Sequence, residues 1–173
     1  TGLPIDRVYL NPEDNAATPE AIKSIQEADI IILGPGSLYT SIIPNLLIKE
    51  ITEAIVNSRA FKCYICNIMT QHGESDNFTA SDHLRVLIAH SHPRIVDYCV
   101  VNNGSVPQML IDKYKLEQSS FVDADIKNLR ALGYKVIADN LVNINEVVRH
   151  DASKLAKIII KIFHSKRRYA RTK

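Results

Sequence analysis

No apolar run in this chain exceeds about four residues, so nothing in it reads as a membrane-spanning helix. The N-terminal stretch lacks the charged start and apolar core of a secretory signal. Cysteine is sparse. Cys63, Cys66 and Cys99 are odd in number and sit in strand-like surroundings, which suits a reducing compartment better than a disulfide scaffold. The standard chemical motifs are missing too. There is no Gly-Lys-Ser or Gly-Lys-Thr of a P-loop, no Gly-x-Ser-x-Gly nucleophile elbow and no evident Ser-His-Asp set. These absences point to a soluble cytoplasmic protein whose function does not announce itself through a catalytic signature.

What the chain does have is length and apolar content for one core: 173 residues, 46% hydrophobic. A single domain over 1–173 is expected. The net charge of +2 hides an asymmetry. Residues 151–173 carry eight Lys or Arg against Asp151 alone, leaving thirteen basic and eighteen acidic side chains in the first 150. Any basic function is therefore confined to the tail at 164–173, and no nucleic-acid partner is expected for the body. The preceding helix has Leu155, Ile158, Ile159 and Ile162 on one face and Lys154, Lys157 and Lys161 on another. It reads as a packed terminal helix with a solvated tail, the alternative being contact with an anionic partner.

Apolar runs alternate with helical patterns. Strands are expected at Arg7–Leu10, Asp29–Leu33, Phe61–Met69, Val96–Asn102 and Lys135–Ala138, several of them continuous in Ile, Val, Tyr and Cys as in strands buried on both faces. Helices are expected from Pro19, with Thr18 as N-cap, and over Asn45–Asn57, Thr79–Ala89, Val106–Tyr114, Ala124–Leu132 and Ala152–Phe163, with Gly133 as a stop. That alternation predicts an α/β fold with a mainly parallel sheet. Cys63 and Cys66 have C-x-x-C spacing, but on a strand they face opposite sides, which argues for buried cysteines over a redox pair. His90 and His92 are candidate metal ligands, but a helix end followed by Pro93 explains them adequately.

In such a sheet ligands bind beyond the C-terminal strand ends. Three polar stretches fall there: 34–41, 67–82 and 102–105. The first, Gly34-Pro35-Gly36-Ser37-Leu38-Tyr39-Thr40-Ser41, offers Gly34 and Gly36 for positive φ or close backbone approach, three hydroxyls, and the amides of a following helix. Tyr39 stands where a dinucleotide fingerprint would have its third glycine. The stretch is thus a phosphate cradle or an ordinary strand-to-helix turn. In the second, Glu74, Asp76 and Asp82 are candidates to hold Mg²⁺ beside a phosphate. His72 and His83 are candidates for acid, base or phosphate donor, or simply polar loop residues.

The stretches "GPGSLYTSIIPNLL" and "CNIMTQHGESDNFTASDH", with "VVNNG" and "KVIADNL" downstream, resemble the YvcK-type gluconeogenesis factor family of the CofD-like superfamily over nearly the whole chain. The resemblance implies a bacterial, cytoplasmic protein with a Rossmann-like three-layer fold. It implies binding of a UDP-sugar such as UDP-N-acetylglucosamine and a role in cell shape and wall synthesis during gluconeogenic growth. A cell-wall synthesis protein and a second copy of the chain are the candidate protein partners. No cofactor is then required. The related 2-phospho-L-lactate transferases use Mg²⁺, which gives the enzymatic alternative. Carried over residue by residue, the ligand site would comprise Gly34, Gly36, Ser37, Leu38, Tyr39, Thr40, Asn67, Met69, Thr70, Gln71, Gly73, Glu74 and Asp76, with Asp76 and Asp82 as candidate metal ligands. His72 stands where Pro is more usual, which speaks against a catalytic role for it. The family's "GGGTG" turn and "DDGGSSG" stretch are not in this sequence, so the chain is expected to be part of a larger domain.

Overall fold

A computed structural model describes residues 5–144 and 148–171. Four strands form one parallel sheet in the order in which they occur: β1 (Ile30–Leu33), β2 (Phe61–Ile65), β3 (Tyr98–Asn102) and β4 (Lys135–Asp139). The register pairs Ile32 with Cys63, Cys63 with Tyr98 and Tyr98 with Lys135. Every residue of β2 is buried, as expected of a central strand covered on both faces.

Strand alternation sorts the side chains into two layers. On one face Tyr64, Cys66, Cys99 and Val101 pack with Leu84, Leu87 and Leu129 of the helices α4 (Ala80–Ala89) and α6 (Ile126–Ala131), and with Ile55 of α3 (Lys49–Asn57). On the other, Phe61, Cys63, Ile65 and Val100 meet Leu155 and Ile159 of α7 (Ala152–Arg171). Cys63 and Cys66 thus point to opposite sides of the sheet, and burial pushes both thiols up to about 12. The expected three-layer α/β architecture is present.

Local chemistry explains the helix starts. α1 (Pro19–Glu27) begins with Pro at its first position, and the Thr18 hydroxyl accepts from the Ala21 amide at 3.3 Å. α4 opens on a full capping box in which Thr79 and Asp82 satisfy each other's backbone amides.

Several expectations need correction. Arg7–Leu10 is not a strand: Ile5 and Val8 pack against the helical layer, and the Val8 amide donates to His90 Nε2 rather than to a ladder. β2 ends at Ile65 rather than Met69, because the Asn67 side chain leaves the sheet to bond the neighbouring loop. The helix expected over Asn45–Asn57 is two. A π-helical turn (Leu38–Ile42) runs into α2 (Ile43–Leu46), and Ile48, in extended conformation, separates that from α3.

The sequence pattern also gave no warning of a hairpin, β5 (Val142–Ile144) with β6 (Val148–His150), whose strands are too short to show alternation. With α5 (Gln108–Leu116) it builds a third cluster around Ile68, Val106, Leu110, Val142 and Val148, at the C-terminal end of β2 and β3. The basic tail at 164–173 continues α7 as helix to Arg171, but its side chains from 166 onward lie outside the described residues, as do Thr1, Gly2 and Leu3. Among the described residues no helix is long and apolar enough to cross a membrane.

Candidate functional site

β1 and β2 are adjacent, so the loops that leave their C-terminal ends are adjacent too. Asn67 joins them. Its side-chain carbonyl accepts from the Gly36 amide at 3.2 Å, and its amide donates to the Gly36 carbonyl at 2.9 Å. A two-way bond of this kind holds the Gly36 peptide in one orientation. From there the chain enters the π-turn. Ser37 is its N-cap, and the Ser37 carbonyl accepts from the Ser41 and Ile42 amides. The opening amides of the helix, those of Leu38, Tyr39 and Thr40, have no intrahelical acceptor.

Gly34 and Gly36 do different jobs. Gly34 has φ +81°, and a Cβ there would lie 2.8 Å from the Ile65 carbonyl oxygen. Both the conformation and the close strand approach require glycine. Gly36 is not in the left-handed region, and its Cβ would find Ser41 Cβ at an ordinary 3.6 Å. The fold does not need glycine there.

The second loop closes on itself. The Gln71 carbonyl accepts from the Glu74 and Ser75 amides, while the buried Ser75 hydroxyl accepts from the Gln71 amide at 3.0 Å. This turn aims Glu74 back at the first loop. The Ser37 hydroxyl donates to Glu74 Oε2 at 2.5 Å, Gln71 Nε2 donates to Oε1 at 3.1 Å, and the Thr40 hydroxyl lies 2.6 Å from Ser37 Oγ and 3.4 Å from Oε1. The two stretches singled out in the sequence therefore meet, through Asn67 on one side and Glu74 on the other.

The remaining sequence-predicted residues are placed less uniformly. Leu38 and Tyr39 turn their side chains into the core, at 2% and 3% exposure, and the Tyr39 hydroxyl donates to the Ile5 carbonyl. Burial, then the negative charges of Asp6 and Glu74, raise the Tyr39 phenol. Thr70 is buried and tied to Ser120, whose amide donates to its hydroxyl at 2.8 Å. Met69 bridges to Phe121 and packs in the third cluster. Gly73 donates its amide to Asp76, whose other oxygen stands 3.1 Å from the exposed His72. His83 is fully buried, with Nδ1 2.9 Å from the Thr79 carbonyl and Phe78 edge-on to its ring. Burial holds its imidazole below the usual value, against the opposing pull of the Thr79 carbonyl and Asp82. It is a core histidine.

The third polar stretch does not join the other two. Asn102 folds over its own turn, donating to the Gly104 carbonyl and accepting from the amides of Gly104 and Leu141, which ties it to the start of the hairpin.

The expected metal set is also not gathered. Asp82 caps α4 and accepts from Arg85 at 2.9 Å; its burial raises the carboxyl, but the Thr79 and Arg85 donors outweigh that and lower it. Asp76 serves Gly73 and His72, and Glu74 serves the hydroxyls. Among the described residues no group of three or more His, Cys, Asp or Glu is arranged to hold a metal ion.

A cleft of about 550 Å³ opens beside Gly36 and Asn67. Its far wall is the hairpin and the start of α7, with Val148, Arg149, His150 and Leu155. His150 Nε2 lies 3.2 Å from the Cys66 carbonyl, and burial holds its imidazole below the usual value while that carbonyl bond acts the other way. Arg149 is exposed. Neither had been singled out from the sequence. The signal available was an Arg-His-Asp run directly ahead of a helix.

The model of a family described as "2-phospho-L-lactate transferase CofD" matches residues 1–142. Among curated proteins, the chain is 46% identical over 160 residues to the gluconeogenesis factor of Bacillus subtilis, covering 92% of this chain and 50% of that protein. It is 39% identical over 160 residues to the gluconeogenesis factor of Listeria monocytogenes, covering 92% of this chain and 49% of that one. Among solved structures, a UPF0052 family member from Bacillus halodurans superposes with a TM-score of 0.89 at 45% identity, covering 92% of this chain and 52% of the other. The chain thus spans about half the length of the relatives described.

Proposed function

This chain belongs to the CofD family, whose model covers residues 1–142, and from that premise we propose that it binds a nucleotide sugar of the UDP-N-acetylglucosamine type. The diphosphate would lie against the Gly36–Thr40 backbone, with the rest of the ligand in the cleft between Asn67 and the β6 wall. The observation that carries this reading is the Asn67–Gly36 pair, which holds the loop from β1 open-ended beside that cleft. A helix start with free amides suits a diphosphate, and the exposed Arg149 across the cleft adds positive charge. The loop held by Asn67 and the cleft beside it support a binding and regulatory role.

In the cell the protein would act in the cytoplasm, supporting cell shape and wall synthesis during gluconeogenic growth. The likeness to proteins named gluconeogenesis factor supports the gluconeogenic part of that role. A wall-synthesis protein or a second copy of the chain would be its partner. The description of the family model supports a second reading, a transferase acting on a nucleotide-linked substrate.

Titration of UDP-N-acetylglucosamine by calorimetry, beside a Gly36→Val variant, tests the proposal. A β-branched side chain at 36 should remove binding while the variant stays folded. Equal binding by both proteins would move the site elsewhere. Mg²⁺-dependent turnover of the nucleotide-linked substrate would favour the transferase.

A further inference from the structure

The hydroxyls that would greet a phosphate in this cradle already have an anion. Ser37 and Gln71 direct side-chain donors to the two oxygens of one carboxylate, that of Glu74, and the Thr40 hydroxyl, 2.6 Å from Ser37 Oγ and 3.4 Å from Glu74 Oε1, backs the Ser37 hydroxyl. Glu74 is half-buried and is not held by chance. The turn from Gln71 to Ser75 closes through two backbone bonds and the buried Ser75 hydroxyl, which fixes the direction in which Glu74 projects. Its partners are neutral donors, and among the described residues no Lys or Arg forms an ion pair with it.

From this arrangement we propose that Glu74 is an internal competitor of the ligand's phosphate: its carboxylate occupies the donors of Ser37 and Gln71, with Thr40 behind Ser37, and an anion enters the cradle by displacing it. The inference rests on the nucleotide-sugar reading above. Its physical basis is simple. Two anions cannot share one set of neutral donors without repulsion, and each hydroxyl has a single proton to give. Displacing a carboxylate from these donors opposes binding, so the cradle discriminates against weak or singly charged anions. A diphosphate offers more acceptor oxygens and more charge than the carboxylate it replaces. Glu74 is then a specificity-determining residue that sets how much negative charge a ligand needs in order to enter.

The test uses Glu74→Gln and Glu74→Ala in this chain, with UDP-N-acetylglucosamine and inorganic pyrophosphate titrated calorimetrically in buffer holding a chelator, and melting temperatures as the control for folding. Glutamine keeps the shape and one acceptor but removes the charge; alanine removes both. The proposal expects both variants to bind more tightly than the wild type, by about tenfold, with a similar gain for the two ligands because each displaces the same carboxylate. In wild-type protein carrying a carbon-13 label at glutamate, the Glu74 carboxyl resonance should shift on ligand addition. Unchanged or weaker binding by variants that melt like the wild type overturns the proposal while leaving the nucleotide-sugar site standing. Weakening that appears only when Mg²⁺ is added would mean that Glu74 holds the ligand through a cation, which also overturns it. Absence of binding by wild type and variants alike would remove the nucleotide-sugar reading and this inference with it.

Discussion

The contrast between the two glycines of the first loop gives the sharpest stability prediction. At Gly34 the backbone has φ +81°, where an L side chain costs about 1–2 kcal/mol. A methyl there would also meet the Ile65 carbonyl oxygen at 2.8 Å and Ile42 Cδ1 at 3.2 Å. The first of these is backbone of the central strand and cannot step aside, so overpacking adds about 1–3 kcal/mol. Gly34→Ala should therefore lose about 2–5 kcal/mol, which at this chain length lowers the melting temperature by on the order of 10 °C. Gly36→Ala meets Ser41 Cβ at 3.6 Å with no positive φ. It should melt with the wild type or slightly above it, since replacing a compatible glycine restricts the unfolded chain by up to about 1 kcal/mol. Scanning calorimetry on the three proteins decides the matter. If Gly34→Ala melts with the wild type, or Gly36→Ala melts as low as Gly34→Ala, the assignment of roles is wrong.

Three further outcomes follow from the geometry. Asn67→Ala removes both bonds to Gly36 and should cost about 1–3 kcal/mol; hydrogen exchange should show faster exchange at Gly36 while the sheet stays protected, and uniform exchange in both proteins would count against it. His83 and His150 are both held below the usual imidazole value of 6.5, chiefly by burial, so the native state binds fewer protons than the unfolded chain in mildly acid solution. Their contribution to stability is complete above about 6.5 and is lost as pH falls toward the folded values, so the urea midpoint should drop between pH 7.5 and pH 5.5, and a flat midpoint would refute this. Cys63 and Cys66, pushed up to about 12 by burial, and Cys99, also raised by burial, should not react with a thiol reagent at neutral pH until the protein unfolds; stoichiometric labelling of the native chain would contradict the packing.

The central architecture was legible because it rests on strong local signals. β1, β2, β3 and β4 are apolar runs of the length a buried parallel strand needs, and α1 and α4 begin at caps that can be read directly, Thr18-Pro19 and Thr79. The errors fall where tertiary contacts decide. Arg7–Leu10 alternates like a strand, but the core cluster takes up Val8 while Tyr9 stays exposed, and His90 accepts the Val8 amide. The break at Ile48 interrupts a continuous helical pattern that no Pro or Gly marks.

The candidate site was half legible. Loops at adjacent strand ends must meet, so the first two stretches could be paired from topology alone. That Asn67 would bond Gly36 and Glu74 would face Ser37 depends on side-chain directions that spacing does not encode. Leu38 and Tyr39 show the converse: motif residues whose side chains serve the core. The β6 wall was missed because three-residue strands leave no periodic trace.

The most direct test of the central claim is a nitrogen-15 correlation spectrum of this chain followed during addition of UDP-N-acetylglucosamine. The account predicts saturable shifts concentrated at the amides of Gly36 to Thr40 and at Asn67 and His150, with the buried strand amides of β3 unmoved. Shifts confined to any other surface, or none at ligand concentrations that saturate a longer relative, would contradict it.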